Sequence, residues 1–292
     1  MSIISGMSGS QVAALTTAQI QALSTGDFKA MSSAQINSLT SEQVAAIETR
    51  DLVVLNASQI AAFNLSAFSD GLLTYQADAL TQTQTRALTT AQLNSLDSDQ
   101  IAALGTDVAA LTASQVKGLS TDNVVALTST QLNALSATQM TALSSDQIQA
   151  LETQDLVQMG TAQLGALTAA QVKSLTSEQL NALGTDQIAG LKASQIGALT
   201  TDQVSKLSTA NVQALSATQV KAMTAAQLNS LDSDQIAALD TADVSALTAA
   251  QVKGLTTGSI QALSSDQVKA LTASQMTALS SDQIQALETQ DL

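Results

Sequence analysis

The chain contains no cysteine, histidine, proline or tryptophan, and its 292 residues include only one tyrosine and three phenylalanines. Without cysteine there is no disulfide, no thiolate nucleophile and no usual zinc site. Without histidine there is no side chain that shuttles protons near neutral pH. Because aromatic side chains normally fill much of a globular core, their scarcity indicates a long, thin core. This composition predicts that the protein is not an enzyme.

Basic residues are also scarce, since 10 Lys and Arg side chains stand against 24 Asp and Glu, a formal net charge of −14. Binding a nucleic-acid backbone needs clustered basic residues, so this charge excludes a nucleic-acid partner. No window contains the 18 or so apolar residues that a transmembrane helix needs, which excludes membrane insertion. The segment Met1–Met7 lacks the basic and apolar regions of a secretory signal, so export would need a signal outside it.

The sequence is built from a repeat of eight residues, the octad: Leu, Ser or Thr, two variable residues, Gln, Ile, Val or Leu, a variable residue, and Ala. Thirty-five octads run from Met7 up to Leu287, which begins the next repeat; one has nine residues (63–71) and one has seven (104–110). We therefore expect a lead-in at residues 1–6 and a single continuous repeat domain at residues 7–292. That domain is irregular at residues 63–80 and its last repeat is incomplete.

Each octad carries the signal that starts a helix. The second position is Ser or Thr in 23 of the 35 octads and Asn or Asp in five more, and the fifth position is Gln in 26. This spacing matches the capping box, in which the cap side chain and the residue three positions later each accept the other's backbone N–H. In the octad at residues 15–22, Leu15 and Ile20 also stand where a hydrophobic staple would form around Thr16 and Gln19.

Two other architectures conflict with this pattern. In one continuous helix, an eight-residue repeat would drift by about 80° per octad, so its Leu residues would form no stripe. In a β-solenoid, the five-then-three spacing of the large apolar residues would place Leu and Ile on opposite strand faces. In a lone octad, burial of two large apolar side chains cannot offset the entropy that is lost when eight residues become ordered. Octads must therefore stack on one another. Helix hairpins would give a sixteen-residue alternation, and the sequence has none. The sequence therefore predicts an all-α solenoid of about 35 octads, each one short capped helix.

The irregular stretch at residues 63–80 contains Phe63, Phe68 and Tyr75, three of the four aromatic residues. The favoured interpretation is that larger side chains fill a gap left by the shifted register. The alternative is a hinge, a subunit contact or a ligand site.

Close pairs of acidic residues are the candidate metal ligands. Asp97 with Asp99 and Asp232 with Asp234 could offer oxygen ligands to calcium. No EF-hand loop or glycine-rich nonapeptide is present, and acids at a helix start also complement the helix dipole without any metal. We favour the dipole interpretation, and calcium binding is the alternative. The sequence therefore assigns no catalytic, cofactor-binding or metal-binding residue.

The repeated pattern Leu-Thr-x-x-Gln-Val-x-Ala-Leu resembles low-complexity tracts of very long bacterial surface proteins, the RTX and adhesin proteins exported by type I secretion. The resemblance implies an acidic, cysteine-free protein at the cell surface or outside the cell, without a cleaved N-terminal signal. The expected function is structural: an extracellular stalk, a spacer or a filament-forming segment, whose partner is itself or further repeats of a longer chain. The alternative function is a protein- or ligand-binding scaffold that uses the variable octad positions, with an ice- or ligand-binding array as a third class.

Overall fold

The computed structural model describes residues 3–287, and within that range the chain is helical with no strand. This confirms the all-α prediction. The first two residues of the lead-in, and residues 288–292 of the incomplete last repeat, lie outside the described residues. Two compact units divide the chain at residue 150. That division does not test the prediction of one continuous repeat domain at residues 7–292.

The first unit, residues 3–150, contains seventeen α-helices and two 3₁₀-helices. The 3₁₀-helices are Ile4–Gly6 and Gly105–Ala110. The α-helices are α1 Gly9–Ala13, α2 Thr17–Gln21, α3 Thr25–Ala30, α4 Ser33–Asn37, α5 Ser41–Ala45, α6 Thr49–Leu52, α7 Ala57–Ala62, α8 Leu65–Gly71, α9 Thr74–Ala79, α10 Gln82–Ala87, α11 Thr90–Ser95, α12 Ser98–Ala103, α13 Ala113–Gly118, α14 Thr121–Val125, α15 Ser129–Ala134, α16 Ala137–Ala142 and α17 Ser145–Ala150.

The second unit, described over residues 151–287, contains another seventeen α-helices. They are α18 Thr153–Leu156, α19 Thr161–Ala166, α20 Ala169–Ser174, α21 Ser177–Ala182, α22 Thr185–Ala189, α23 Ala193–Ile196, α24 Thr201–Ser205, α25 Thr209–Gln213, α26 Ala217–Ala222, α27 Ala225–Leu228, α28 Ser233–Ala238, α29 Thr241–Ala246, α30 Ala249–Lys253, α31 Thr257–Gln261, α32 Ser265–Lys269, α33 Ala273–Ala278 and α34 Ser281–Ala286.

A typical octad consists of one short helix and a two-residue extended connector. In the octad that contains α16, Leu135 (φ −66°, ψ 135°) and Ser136 (φ −70°, ψ 161°) are extended, and the helix occupies the six residues after them. The Ser136 side chain accepts a hydrogen bond from the backbone N–H of Gln139, and the Gln139 side chain accepts one from the backbone N–H of Ser136. The predicted capping box therefore starts this helix.

Within each unit the helices stack as a solenoid with one helix per step. A helix packs mainly on the helix three steps away, as α5 does on α8 and α23 on α26. Side-chain hydrogen bonds from the fifth octad position to the preceding turn join residues 26 to 32 positions apart, most often 28 and 31, which is close to four octads. One turn of the solenoid therefore takes between three and four octads. The sequence could not give this number, because the octads are nearly equivalent.

The core consists of the first and sixth octad positions, as the staple pattern predicts. In the octad at residues 159–166, for example, Met159 is 3% exposed and Leu164 is 0% exposed. The short helices are individually unstable in water, since isolated helices of this length do not form. Burial of these two side chains against neighbouring turns supplies the free energy that each octad alone lacks.

The two octads of unusual length are accommodated in different ways. The nine-residue octad lengthens α8 to seven residues, and Gly71 at its end lies so close to α5 that an added Cβ would stand 2.3 Å from the carbonyl oxygen of Ser41. The seven-residue octad forms the 3₁₀-helix Gly105–Ala110, which winds more tightly than an α-helix and begins with Gly105 at φ 52°. Only glycine adopts that left-handed conformation without strain.

The aromatic residues of the irregular stretch have different environments. Phe63 and Phe68 are buried (4% and 0% exposed), and their ring centroids are 5.5 Å apart. Tyr75 is 56% exposed. The gap-filling interpretation therefore describes the two phenylalanines, whereas Tyr75 fills no gap.

Candidate functional site: the buried glutamine ladder

The fifth-position Gln side chains form a buried ladder that joins successive turns. Gln203 is 4% exposed, and its Oε1 atom accepts a hydrogen bond from the backbone N–H of Thr200 at 2.8 Å, which completes the capping box. Its Nε2 atom donates to the carbonyl oxygens of Lys173 (3.0 Å) and Leu175 (2.7 Å) at the end of α20. Each such side chain therefore starts its own helix and satisfies the last carbonyl groups of a helix in the preceding turn.

The same contact recurs with nearly constant geometry in both units. In the first unit, Gln59 donates to the carbonyl oxygens of Phe28 and Met31 at 2.8 and 2.9 Å. In the second, Gln267 donates to those of Ile236 and Leu239 at 2.8 and 2.6 Å. We call this contact the inter-turn clamp: one Gln Nε2 and the carbonyl oxygens of the preceding turn to which it donates. These lie most often 31 and 28 residues before the Gln, and between 26 and 32 residues before it in the described part of the chain.

The clamp explains why the fifth position is Gln in 26 of the 35 octads and Glu in none. In an exposed capping box either residue serves, and the negative charge of Glu would also favour the start of a helix. Here the second oxygen of a Glu carboxylate would face two carbonyl oxygens in a buried site. The carboxamide supplies an acceptor for its own cap and a donor for the preceding turn, and no other side chain of this length does both.

Where the cap residue has no side-chain oxygen, the Gln side chain still accepts the hydrogen bond from the backbone N–H of that residue. The backbone N–H groups of Leu73, Gly184 and Lys192 all donate to the Oε1 atom of the Gln three residues later. Those Gln residues also keep their inter-turn clamps, as Gln187 does to the carbonyl oxygens of Leu156 and Met159. The clamp is therefore independent of the Ser or Thr hydroxyl.

Three octads replace Gln by a shorter uncharged polar residue, and an Asn from an earlier octad compensates for it. Neither Asn nor Ser at the fifth position accepts the N–H of its own cap residue. That N–H instead donates to the Oδ1 atom of an Asn at the seventh position, four octads earlier. The pairs, each at 2.9 Å, are Ser120 with Asn94 (fifth-position Asn123), Ser208 with Asn181 (fifth-position Asn211) and Thr256 with Asn229 (fifth-position Ser259).

Acidic residues at the fifth position are the chemically unusual members of the ladder. Asp51 is 1% exposed, and its Oδ1 atom has no hydrogen-bond partner among the described residues. Burial raises the pKa of its carboxyl group, against the opposing effect of Arg50, whose Nε atom lies 3.5 Å from Oδ2. Asp243 is also buried, and its burial likewise raises the pKa of its carboxyl group, although Oδ2 accepts a hydrogen bond from the backbone N–H of Asp240. In both sites burial disfavours the charged form of the carboxyl group relative to water.

The predicted acidic pairs lie at helix starts in different units. Asp97 and Asp232 are the N-caps of α12 and α28, and each accepts the backbone N–H of the Gln three residues later at 2.8 Å. Asp99 and Asp234 lie exposed in the first turn of the same helices. Residues 3–287 contain no group of three or more acidic side chains close enough to hold a metal ion. The capping bonds are the contacts that this part of the structure gives these acids.

The sequence predicted the capping half of the ladder and missed the clamp. Two signals were present: Gln was used to the exclusion of Glu, and Asn occurred at the seventh position four octads before a short fifth-position residue. Neither signal is interpretable until the number of octads per turn is known.

The described helices are all too short or too polar to cross a lipid bilayer. Among solved structures, the chain is similar to the leucine-rich repeat-containing protein LegL7 from Legionella pneumophila, with 10% identity over 95% of this chain and 91% of that chain. The TM-score of 0.21 is too low to infer a shared fold. No curated protein matches the chain.

The profile of the ALTTAQ repeat matches eight segments of the chain: residues 22–46, 106–137, 125–153, 148–185, 179–209, 204–241, 236–273 and 261–289. The hexapeptide Ala-Leu-Thr-Thr-Ala-Gln also occurs in full at residues 14–19 and 87–92. It covers the end of one octad, the connector and the start of the next helix up to the clamp residue. Nothing in these matches ties the chain to RTX or adhesin proteins. The matched segments span more than half of the sequence, and the chain belongs to the ALTTAQ repeat family.

Proposed function

We propose that the chain is a non-catalytic structural segment of a bacterial surface protein, acting as an extracellular stalk, spacer or filament-forming element. The observation that carries this proposal is the inter-turn clamp. The buried polar side chains of the solenoid are used mainly to fasten one turn to the next, by the same pair of hydrogen bonds each time. A repeated, self-similar fastening suits a segment whose task is to span a distance.

The outward-facing positions support the same role. The third, fourth and seventh octad positions are mostly Ala, Ser, Thr, Asp, Gln and Asn, and they change little along the chain. Specific binding surfaces concentrate aromatic and Arg side chains, which this surface contains in very small number. The extracellular location is supported by the acidic, cysteine-free composition and by the resemblance to bacterial surface tracts.

Stretching single molecules from both ends tests the structural role. Because each clamp joins residues 26 to 32 positions apart, force should release the chain in steps of about one turn, or about 90–115 Å of extended chain. A molecule that extends smoothly, with no unfolding force above the noise of thermal motion, would contradict a mechanical role.

Labelling intact source cells with a membrane-impermeant amine reagent tests the location, since it should modify the exposed lysines without lysis. Labelling only after lysis would contradict it.

A protein- or ligand-binding scaffold is the second candidate. The observation that favours it is an open hollow of about 650 Å³ between α21 and α24, lined by Ser177, Glu178, Asn181, Ala182 and Lys206. Two of its lining side chains contact Asp202, which lies beside the hollow: Asp202 accepts a hydrogen bond from Ser177 Oγ at 3.0 Å and forms an ion pair with Lys206 at 3.1 Å. Saturable binding of a partner that is lost on Glu178→Lys substitution would favour this candidate over the structural one.

A further inference from the structure

Each rung of the buried ladder is one fifth-position side chain with the carbonyl oxygens opposite it, and the rung of Asp51 contains an acid in place of Gln. In the rungs on either side, Gln43 and Gln59 both donate to the carbonyl oxygens 31 and 28 residues before them. The same spacing places the carbonyl oxygens of Ile20 and Leu23 opposite Asp51. No side chain of the described residues donates to either oxygen. An ionised Asp51 therefore adds another acceptor to a rung that lacks a donor.

The second unit contains a similar rung at Asp243. The Gln residues on either side of it in the ladder each donate to the carbonyl oxygen 28 residues earlier. The equivalent oxygen for Asp243 is that of Leu215, and no side chain in the described part of the chain donates to it. Asp243 Oδ2 accepts the backbone N–H of Asp240 at 3.0 Å, as the Gln oxygen does in a capping box. Its Oδ1 atom is therefore the one left for the preceding turn.

A side chain of this length reaches the preceding turn when it carries a donor. Asn has the same number of side-chain atoms as Asp, and Asn123 at the fifth position donates from Nδ2 to the carbonyl oxygens of Leu93 and Leu96 at 3.0 and 3.4 Å. Asn211 likewise donates to the carbonyl oxygen of Leu183 at 3.2 Å. An ionised carboxylate has only acceptors, whereas a protonated carboxyl group has one O–H donor. An added proton therefore gives Asp the donor that Asn has in the same position.

The surroundings of both carboxyl groups favour uptake of that proton. Asp51 is 1% exposed, and its Oδ1 atom has no hydrogen-bond partner among the described residues. Burial is the main cause that raises the pKa of both groups; Arg50 opposes it at Asp51 and Glu48 adds to it, while Asp240 acts on Asp243 in both directions. The other titratable groups on the helices packed against α6 and α29 are not among these causes: Asp27, Lys29, Tyr75 and Asp78 for α6, and Lys221, Asp266 and Lys269 for α29.

We propose that Asp51 and Asp243 are proton-operated clamps, one in each unit. At acidic pH the carboxyl O–H donates to a carbonyl oxygen of the preceding turn and fastens the two turns at that rung. As the pH rises the carboxyl group releases its proton to water, the donor is lost, and a carboxylate faces carbonyl oxygens, so the rung opens. The Gln rungs stay closed, because a carboxamide does not titrate. This pH-sensitive joint goes beyond the proposed stalk or spacer function and does not depend on it.

The test compares two neutral replacements of similar size at one rung. Asp51→Asn supplies a donor at every pH, whereas Asp51→Leu removes the charge and supplies none. Their difference therefore separates the donor from the mere absence of charge. Asp99→Asn is the matched control, because it makes the same change of charge at an exposed side chain outside the capping boxes. The same pair of substitutions at Asp243 repeats the test in the second unit.

Backbone hydrogen exchange at pH 4 and pH 7, corrected for the intrinsic effect of pH on amide exchange, gives the readout. In the parent and in Asp99→Asn, we expect protection of α2 and α6 to rise about two- to tenfold on acidification, relative to α20 and α24, which a Gln rung joins. Asp51→Asn should keep the higher protection at both pH values. Asp51→Leu should be less protected than Asp51→Asn at both. For the variants of Asp243, the reporting helices are α25 and α29.

Three results would overturn the proposal. One is equal protection in Asp51→Asn and Asp51→Leu, which would show that loss of charge is sufficient. The second is a gain on acidification that persists in Asp51→Asn, a comparison that remains decisive if Asp51→Leu does not fold. The third is protection of the parent at pH 7 that increases with sodium or potassium at constant ionic strength, which would indicate a bound cation in place of the proton. The stretching and cell-labelling experiments are independent of all three, so the two proposals fail separately.

Discussion

The substitution Gln203→Glu separates the clamp from the capping box within one side chain. Glu retains the oxygen that accepts the Thr200 N–H, but it has no donor for the carbonyl oxygens of Lys173 and Leu175. Two hydrogen bonds at about 0.5–1.5 kcal/mol each are lost, and a carboxyl group takes the place of the amide at a site that is 4% exposed. We expect a local destabilisation of about 2–4 kcal/mol at pH 7.

Hydrogen exchange measured by mass spectrometry is the appropriate assay, because a repeat protein opens locally and a global melting curve averages over many turns. The expected loss of about 2–4 kcal/mol in local stability corresponds to backbone amide hydrogen exchange about 30- to 700-fold faster in α20 and α24. The penalty should shrink near pH 5, where a protonated Glu regains one donor. Thr200→Ala should cost only about 1 kcal/mol, since it removes the cap hydroxyl and leaves the clamp.

The matched control is Gln19→Glu. Gln19 forms the same capping box with Thr16, at 2.9 and 3.2 Å, but it is exposed and its Nε2 atom contacts no described acceptor. We expect a change below about 0.5 kcal/mol. Equal effects of the two substitutions would refute the clamp as a source of stability and would leave capping alone as the function of the fifth position.

Three further experiments test other parts of the packing. Thr85→Val should raise the free energy of unfolding in urea by about 1–2 kcal/mol, because the buried Thr85 hydroxyl has no partner; a loss of stability would show an overlooked contact. Gly71→Ala should cost about 1–3 kcal/mol, since its Cβ would collide with the α5 backbone, whereas Gly258→Ala, with no atom nearer than 3.9 Å, should be neutral or stabilising; similar effects of the two would refute the close approach. The pKa values of Asp51 and Asp243 are raised in the folded protein, so each carboxyl group adds its full contribution to the free energy of unfolding only at a pH below its pKa in the unfolded chain. That contribution is lost as the pH rises through the pKa of the folded protein. The double variant Asp51→Asn with Asp243→Asn should therefore melt at a higher temperature than the parent at pH 7, and the difference should narrow towards pH 4; a constant difference would contradict this account.

The local structure was predictable because its causes are local. Ser136 and Gln139 start a helix through contacts within four residues, and Leu135 ends the previous one by adopting an extended backbone. The sixth-position residue then lies on the buried side simply because of helix geometry. The octad period, the helix starts and the two core positions could all be predicted from such short-range rules.

The buried ladder was not predictable in the same way, because it depends on contacts close to thirty residues apart. Asn229 illustrates the difference: in the sequence it is one polar residue at a variable position, and in the structure its side chain satisfies the N–H of Thr256 and accepts from the Ser259 hydroxyl. Asp51 shows the same limit, since nothing near it in the sequence indicates that its carboxyl group is buried.

The sequence by itself determined that this chain is a series of short capped helices with two apolar residues each, since capping and helical periodicity act within a single octad. Only the tertiary structure decided that a turn takes between three and four octads, and that each Gln therefore meets the carbonyl groups of the preceding turn. The physical reason is that the octads are nearly identical, so the sequence does not distinguish which octad stacks on which. The packing of helix on helix selects one register and thereby gives the Gln donor its partners.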